Sequence, residues 1–305
     1  MVWALQRLYG ALLVMLLVSV SVFFLIHLVP GDPVDVMLGE SASAADRQTM
    51  TRALGLDLPL HEQLFNYFYN LLHFDLGQSI HSSQPIKDIL AERLPATFGL
   101  SLAAMVFALL LALPLGVAAA VRRGSYIDRL AMFTAVGGLA IPNFLLGPLL
   151  VLFFSIWLGW LPVSGFDSWQ HYLLPAMTLG FSMAAVLTRM IRSTLLETLG
   201  EDYIRTAWSK GLSQGSIIWR HALRNAWLPV VTVIGAQIGA LLGGAVVTET
   251  VFDWPGIGSL LIESIQKRDY PVLQACVLVI SFIYVFVNAA TDLLYAWLDP
   301  RVRYQ

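Results

Sequence analysis

The chain has 305 residues, of which 57% are hydrophobic and 12% are charged, and its formal net charge is −2. Soluble proteins average about 25% charged residues, so this composition excludes an ordinary soluble protein and indicates an integral membrane protein. Nothing in the charge balance points to nucleic acid as a partner, and the single cysteine, Cys276, excludes a disulfide framework.

Six segments are long enough to cross a bilayer, which takes about 20 apolar residues. They cover residues 8–29, 98–121, 130–161, 172–188 with a continuation past Arg189, 228–248 and 272–291. The first apolar run is too long for a cleaved signal peptide and is followed by Pro-Gly-Asp-Pro, so we expect an uncleaved anchor. The predicted fold class is all-α, with six transmembrane helices.

Basic residues predict the orientation. With the N-terminus inside, twelve lysines and arginines lie on the cytoplasmic side and six lie outside, four of these in the long first loop, where charge matters least. Tryptophans also cluster at the predicted span ends, as amphipathic rings prefer. The outer ones are Trp157, Trp160, Trp169 and Trp254, and the inner ones are Trp3, Trp227 and Trp297. Both termini are therefore predicted to be cytoplasmic.

The predicted organisation has three parts: a first transmembrane helix (1–30), an external loop (31–96) and a five-helix core (97–305) that contains a cytoplasmic loop at 192–228. A polar helix is predicted over 44–54 and an amphipathic helix over 60–72, whose apolar stripe should lie on the membrane surface or on neighbouring helices. A short external helix is predicted over 259–266, after a Trp-Pro-Gly-Ile-Gly turn.

Glycine and proline are expected to interrupt several spans. The second has Pro114 and Gly116. The third has glycines and Pro142, and the fourth has Pro175 and Gly180. In the fifth, Gly235, Gly239 and Gly243 recur every four residues, which predicts close helix contact. Tight packing and broken helices along a translocation path are compatible interpretations.

Three polar residues within or near spans are candidates for lining a pore: Asn143, Gln237 and Glu249. Polar groups inside a membrane are costly, so each needs a partner or a function. Hydrogen bonding between helices is the alternative for each of them. Asp292 and Asp299 are expected to pair with cytoplasmic arginines.

The sequence carries none of the catalytic or nucleotide-binding motifs that we sought. It has no P-loop, no His-Glu-x-x-His, no Gly-x-Ser-x-Gly and no clustered Cys/His metal ligands. We therefore expect no enzyme activity, no metal site and no cofactor.

One polar, basic stretch stands between two apolar segments: EDYIRTAWSKGLSQGSIIWRHALRNAWLPVV at 201–231. Its pattern predicts a helix over 195–209, a turn at Gly211 and a second helix that starts near Gln214 and is capped by Ser213. Such a helix-turn-helix with basic and aromatic side chains suits docking of a cytoplasmic partner. A basic helix lying on anionic lipid is the alternative.

This stretch resembles the EAA loop of binding-protein-dependent ABC importer permeases, most closely the peptide/nickel subgroup. The likeness continues in order along the chain. It includes LVPGDP, LGLDLPLHEQLFNYFYNLLHFDLGQS, RLPAT, IPNF, LGWLP, SWQHYLLPAMTLG, ETVFDWPGIGSLL, RDYPVLQ and LDPRVRY. Arg205-Thr206-Ala207 stands where the general motif has Glu-Ala-Ala, and Trp208 stands where a basic residue is common.

The resemblance implies a type I ABC importer permease of a bacterial inner membrane. Two permeases, the second a related but different chain, would form an alternating-access pore. Two separate ATP-binding subunits would drive it, and a periplasmic or lipid-anchored binding protein would deliver a short peptide, such as a dipeptide, an oligopeptide or glutathione. The residues implied to couple to the ATPase are Arg205, Thr206, Ala207, Lys210, Gly211, Leu212, Arg220, Arg224 and Pro229. Leu228-Pro229 would mark where the loop becomes a membrane helix.

Three other functions remain alternatives at this point. A nickel-chelate permease belongs to the same subgroup. A membrane-embedded enzyme would need a catalytic pair at one depth. A stand-alone channel or secondary transporter would need no docking loop and would usually show an internal repeat.

Overall fold

The computed structural model describes residues 2–28, 33–38, 43–53 and 55–298. The motifs at 28–33 and 298–304, together with Leu54 and Asp299, therefore lie wholly or partly outside the described residues. The N-terminal part contains α1 (Val2–Leu25), α2 (Pro33–Leu38), α3 (Ala44–Ala53), α4 (Leu60–Leu72) and α5 (Ile86–Val121).

The remaining helices form the core and its loops. They are α6 (Tyr126–Ala140), α7 (Asn143–Leu150) continued by a π-helical stretch (Val151–Trp157), α8 (Trp169–Leu199), α9 (Asp202–Ser209), α10 (Gln214–Ser216) continued by a second π-helical stretch (Ile217–Ala222), α11 (Leu223–Val251), α12 (Ile257–Lys267) and α13 (Tyr270–Leu298).

Four of the described helices are long and apolar enough to cross a membrane, namely the segments Arg7–Leu25, Ile86–Val121, Trp169–Leu199 and Tyr270–Leu293. A fifth span arises if α6 and the helix after it count as one bent span. The sixth predicted span lies in α11, whose 29 residues measure about 43 Å at a rise of 1.5 Å per residue. The all-α membrane fold is confirmed, and the count of six spans stays a prediction.

The core is built on the pairing of α5 with α8. A Cβ added to Gly116 would come within 2.8 Å of the Ile191 side chain, and one added to Gly180 would come within 2.6 Å of the Ala104 carbonyl oxygen. These glycines therefore let the two backbones approach closely. The predicted interruptions at Pro114 and Pro175 are wrong, because both prolines lie inside continuous helices.

The predicted interruption of the third span is confirmed at Pro142. Ile141 adopts an extended backbone, as residues before proline prefer. The chain turns by 107° between α6 and α7. In the fifth span, a Cβ on Gly239 would come within 2.8 Å of the Tyr284 ring of α13, whereas one on Gly243 would meet nothing within 4 Å.

The predicted helices outside the spans are present. Helix α4 has the predicted bounds, and α3 and α12 match their predictions closely. His27 lies beyond the end of α1 and is hydrogen-bonded to Gln63 of α4 at 3.1 Å. Tyr67 of the same helix is partly enclosed, and this burial raises its pKa to about 12. The loop after α1 is also fastened to the core, because Ser79 donates a hydrogen bond to Asp269 at 2.6 Å.

Candidate functional site: the basic loop and the far end of α11

The basic loop begins with a break that periodicity did not predict. Helix α8 ends at Leu199, and Gly200 and Glu201 separate it from α9. The predicted single helix over 195–209 is therefore wrong. Glu201 has an extended backbone and Asp202 begins α9, where an acidic side chain is favoured by the positive end of the helix dipole.

Helix α9 is anchored on one face and exposed on the other. Ile204 and Ala207 are buried in the main core, whereas Arg205 and Trp208 are exposed. Asn225 of α11 donates a hydrogen bond to the Tyr203 hydroxyl at 2.8 Å. The short helix is therefore held firmly on the core and presents its outer side chains from a fixed position.

The predicted turn between the two helices is confirmed. Gly211 has φ +75°, a left-handed conformation that costs other residues about 1–2 kcal/mol. Leu212 is half-buried against the core. The Ser213 hydroxyl accepts a hydrogen bond from the Ser216 N–H at 3.4 Å, and α10 starts at Gln214 as predicted.

The second half of the loop is one continuous helical path from Gln214 into α11. Ile217, Ile218 and Ala222 are buried. Pro229 lies inside α11, which starts six residues earlier at Leu223. Pro229 therefore does not begin the helix, and its place where the loop becomes a membrane helix stays a prediction.

The exposed side chains of this loop define what we call the docking surface. Its aromatic members Tyr203, Trp208 and Trp219 are 40%, 49% and 56% exposed. The cations Arg205, Lys210, Arg220 and Arg224 are exposed as well. Aromatic rings and arginines are the residues that most often dominate protein–protein interfaces.

An ion pair ties the base of this loop to the start of α6. Arg192 of α8 donates two hydrogen bonds to Asp128 of α6, at 2.5 and 2.8 Å. The Gly124 N–H donates to the same carboxylate at 2.9 Å. Sequence reasoning missed Asp128. The signal was present, because Ser125 and an acidic residue three positions later form a pattern typical of the start of a helix.

At the other end of α11, Glu249 is completely buried. Its carboxylate accepts hydrogen bonds from the Thr97 hydroxyl at 2.7 Å and from the Ser259 N–H at 3.0 Å. Thr97 also accepts a hydrogen bond from the Ile257 N–H at 2.8 Å. Glu249 thus joins α5 to the first turn of α12 and points into the protein.

Trp254 completes the turn between α11 and α12. It is fully buried, its indole N–H donates to the Ala96 carbonyl at 3.0 Å, and the Tyr172 and Phe166 rings lie 4.4 and 4.8 Å away between centroids. It lies three residues beyond the end of α11 and packs inside the protein. Trp157, Trp160 and Trp169 are exposed.

The other two pore candidates, Asn143 at the start of α7 and Gln237 in α11, are half-buried.

Comparison with known families decides the class of protein. Residues 112–304 match the family model described as "Binding-protein-dependent transport system inner membrane component". Residues 1–103 match the N-terminal model of the same system. The chain belongs to the binding-protein-dependent transport components.

Relatives of this transport component can be aligned with it over nearly its whole length. The chain is 46% identical to a glutathione transport system permease protein, GsiC, of Salmonella typhimurium. It is 44% identical to the GsiC protein of Escherichia coli. Each alignment covers 303 residues, 99% of both chains.

The fold of this transport component is also known from solved structures. Two inward-facing forms of the MetNI methionine ABC transporter match with TM-scores of 0.59 and 0.61 at 18% identity. Both matches cover 71% of this chain and 99% of the other chain. The chain therefore has the type I ABC permease fold, and membership of the family implies separate ATPase and substrate-binding partners.

Proposed function

We propose that this transport component is one of two permease subunits in an ATP-driven importer of short peptides, with glutathione as the leading substrate. The observation that carries the proposal is the 44–46% identity to glutathione permeases over 99% of both chains. No relative described above is named for nickel, so the nickel-chelate alternative is not favoured.

The docking surface supports the role of the loop in coupling. Buried Ile204 and Ala207 hold α9 on the core, and exposed Trp208 and Arg205 remain available to a partner. An ATPase that closes on ATP would shift α9 together with α8 and α11. Alternating access follows if each ATPase state favours a different arrangement of the helices.

Among the predicted coupling residues, exposure separates two roles. We propose that Arg205, Thr206, Lys210, Arg220 and Arg224 contact the ATPase, whereas Ala207 and Leu212 hold the loop on the core and Gly211 shapes its turn. Pro229 lies inside α11 and is exposed, which leaves it at the edge of the docking surface.

For the translocation path we propose Asn143 and Gln237 as lining residues. Asn143 follows the 107° bend between α6 and α7, where a broken helix can open backbone and side chain to a path. Glu249 fits a different role, because its carboxylate is used to hold the start of α12. We propose that it keeps the external turn closed and rigid.

The remaining parts follow the predicted arrangement. We propose that the second permease is a related but different chain, that two ATP-binding subunits dock inside, and that a periplasmic or lipid-anchored binding protein docks outside. The chain itself would be a multi-pass inner-membrane protein with both termini in the cytoplasm and no catalytic residue.

Reconstituted transport tests the proposal. The chain is assembled with its second permease and ATPases in liposomes that carry the binding protein outside, and uptake of labelled glutathione is measured. We expect uptake only with ATP inside, with competition by unlabelled dipeptides and none by a nickel chelate. Uptake without ATPase subunits, or competition by the chelate alone, would refute it.

The orientation has its own test. In a Cys276→Ala background, a cysteine at exposed Ser213 should react with a membrane-impermeant maleimide only in inside-out vesicles. A cysteine at exposed Ser82 should react only in right-side-out cells. The reverse pattern would overturn the predicted topology.

A further inference from the structure

The apolar stripe of α4 divides into two faces. Leu64, Phe68 and Leu71 are half-buried. Phe65, Tyr69 and Leu72 are 69%, 54% and 77% exposed, and the Phe65 and Tyr69 rings stack with centroids 6.4 Å apart. At about 100° per residue, these three exposed residues occupy one narrow strip of the helix. Packing against the chain itself therefore explains only half of the apolar surface of α4.

The depth of α4 relative to the bilayer follows from its contacts with α1. Helix α1 exposes apolar side chains along its length, including Leu12 and Leu17, and is one of the membrane spans. At its outer end the His27 imidazole is hydrogen-bonded to Gln63 of α4 at 3.1 Å. Tyr67, in the middle of α4, has its ring 5.5 Å from the ring of Phe23 of α1 between centroids. The first half of α4 therefore lies level with the end of a lipid-exposed span, which is the headgroup region.

The other side of α4 faces an open cavity. Asn66 and Asn70 are exposed and line this cavity of about 640 Å³, whose mixed lining also includes His27 and Gln63. The helix thus presents one face to the chain, one with two asparagines to an open cavity and one, apolar and uncharged, to its surroundings. Aromatic rings of this kind accumulate at the membrane–water interface, and amphipathic helices lie there with their apolar face inward.

We propose that the strip formed by Phe65, Tyr69 and Leu72 rests in the lipid headgroup region of the leaflet at the C-terminal end of α1. The bilayer then continues the surface already formed by the exposed side chains of α1. This contact fixes the height of the external loop above the membrane. The inference depends on α1 spanning the bilayer and is independent of which solute the transporter carries.

Spin labelling tests this contact directly, because the chain has one cysteine. In a Cys276→Ala background, nitroxides are placed at Tyr69→Cys or Leu72→Cys, with Asn70→Cys as the matched control one residue away. Leu17→Cys in α1 provides the reference within the bilayer. The assembled transporter is reconstituted in phospholipid vesicles, and collision rates with oxygen and with a water-soluble nickel complex are measured.

We expect the oxygen-to-nickel collision ratio at positions 69 and 72 to be several-fold higher than at position 70 and below that at position 17. A water-like ratio at positions 69 and 72 would overturn the proposal. Low collision rates with both reagents would also overturn it, because they would mean that a protein partner covers the strip. ATP-driven uptake by the same samples is measured separately, so loss of transport and loss of lipid contact are distinguished.

Discussion

The two ends of α11 carry similar residues in opposite environments. At its first residues, Trp208 and Trp219 of the adjoining basic loop are about half exposed. At its last residues, Trp254 of the following turn is fully buried, and its indole N–H is hydrogen-bonded to Ala96. Large aromatic side chains are costly to leave in water, because burying one is worth about 1.5–3 kcal/mol.

The charged groups show the same contrast. Glu249, near the last residue of α11, is enclosed by hydrogen bonds from α5 and α12. Lys210 of the basic loop and Arg224 are exposed. The turn after α11 is therefore complete within this chain, whereas the basic loop has a stable base and an outer surface that a partner is expected to cover. Substitutions should separate stability at one end from coupling at the other.

The largest expected difference in stability comes from replacing the buried Trp254 or the exposed Trp208 by alanine. Trp254→Ala should lower the free energy of unfolding by about 3–5 kcal/mol, because it empties a packed site and leaves the Ala96 carbonyl without its donor. Trp208→Ala should change that free energy by less than about 0.5 kcal/mol.

Unfolding of the purified chains in detergent measures the effect of each substitution on stability. Binding of the ATPase subunits measures the effect of Trp208→Ala on docking. Loss of Trp208 should weaken ATPase association by about 2 kcal/mol, as expected for a central interface residue. Equal destabilisation by the two substitutions would remove the contrast between the ends of α11.

A smaller effect is expected at the base of the docking surface. Asp128→Asn leaves the Arg192 guanidinium without its carboxylate, which should cost about 1–3 kcal/mol of folding free energy. Arg192→Lys keeps the charge but loses the paired geometry and should cost less. Thermal unfolding measures both, and an unchanged Asp128→Asn protein would show that the turn before α6 is held by other contacts.

Among the substitutions expected to destabilise the fold, the smallest effect is expected at Gly211. Gly211→Val should disfavour the left-handed turn by about 1–2 kcal/mol, and a Cβ there meets nothing within 4 Å. We expect ATP hydrolysis to become uncoupled from uptake while the protein remains folded in the membrane. Gly211→Asn is the matched control, since asparagine tolerates this conformation, and it should retain coupling. Full uptake by the valine variant would argue against the docking role.

Local features of the fold were predictable from the sequence. The spacing of Leu64, Phe68 and Leu71 predicts α4 with the bounds that the structure shows. Ser213 and Gly211 predict the cap and the turn in the basic loop. Each of these depends on side chains within a few residues of one another, so periodicity and turn chemistry are sufficient.

The prolines show where local rules failed. Pro114 and Pro175 usually end helices in water, yet α5 and α8 continue through them. Inside a membrane protein, neighbouring helices can compensate for the lost backbone hydrogen bond. Their effect therefore depends on the packing of α5 against α8, which the local sequence does not describe.

The sequence by itself determined that this chain is a helical membrane protein with a basic, aromatic loop, because hydropathy, charge and capping act over short distances. The tertiary structure alone decided where the polar groups point. Glu249 meets Thr97 across 152 positions, and Arg192 meets Asp128 across 64. A buried charge must find a partner, and only the packed arrangement of the helices determines which partner lies within reach.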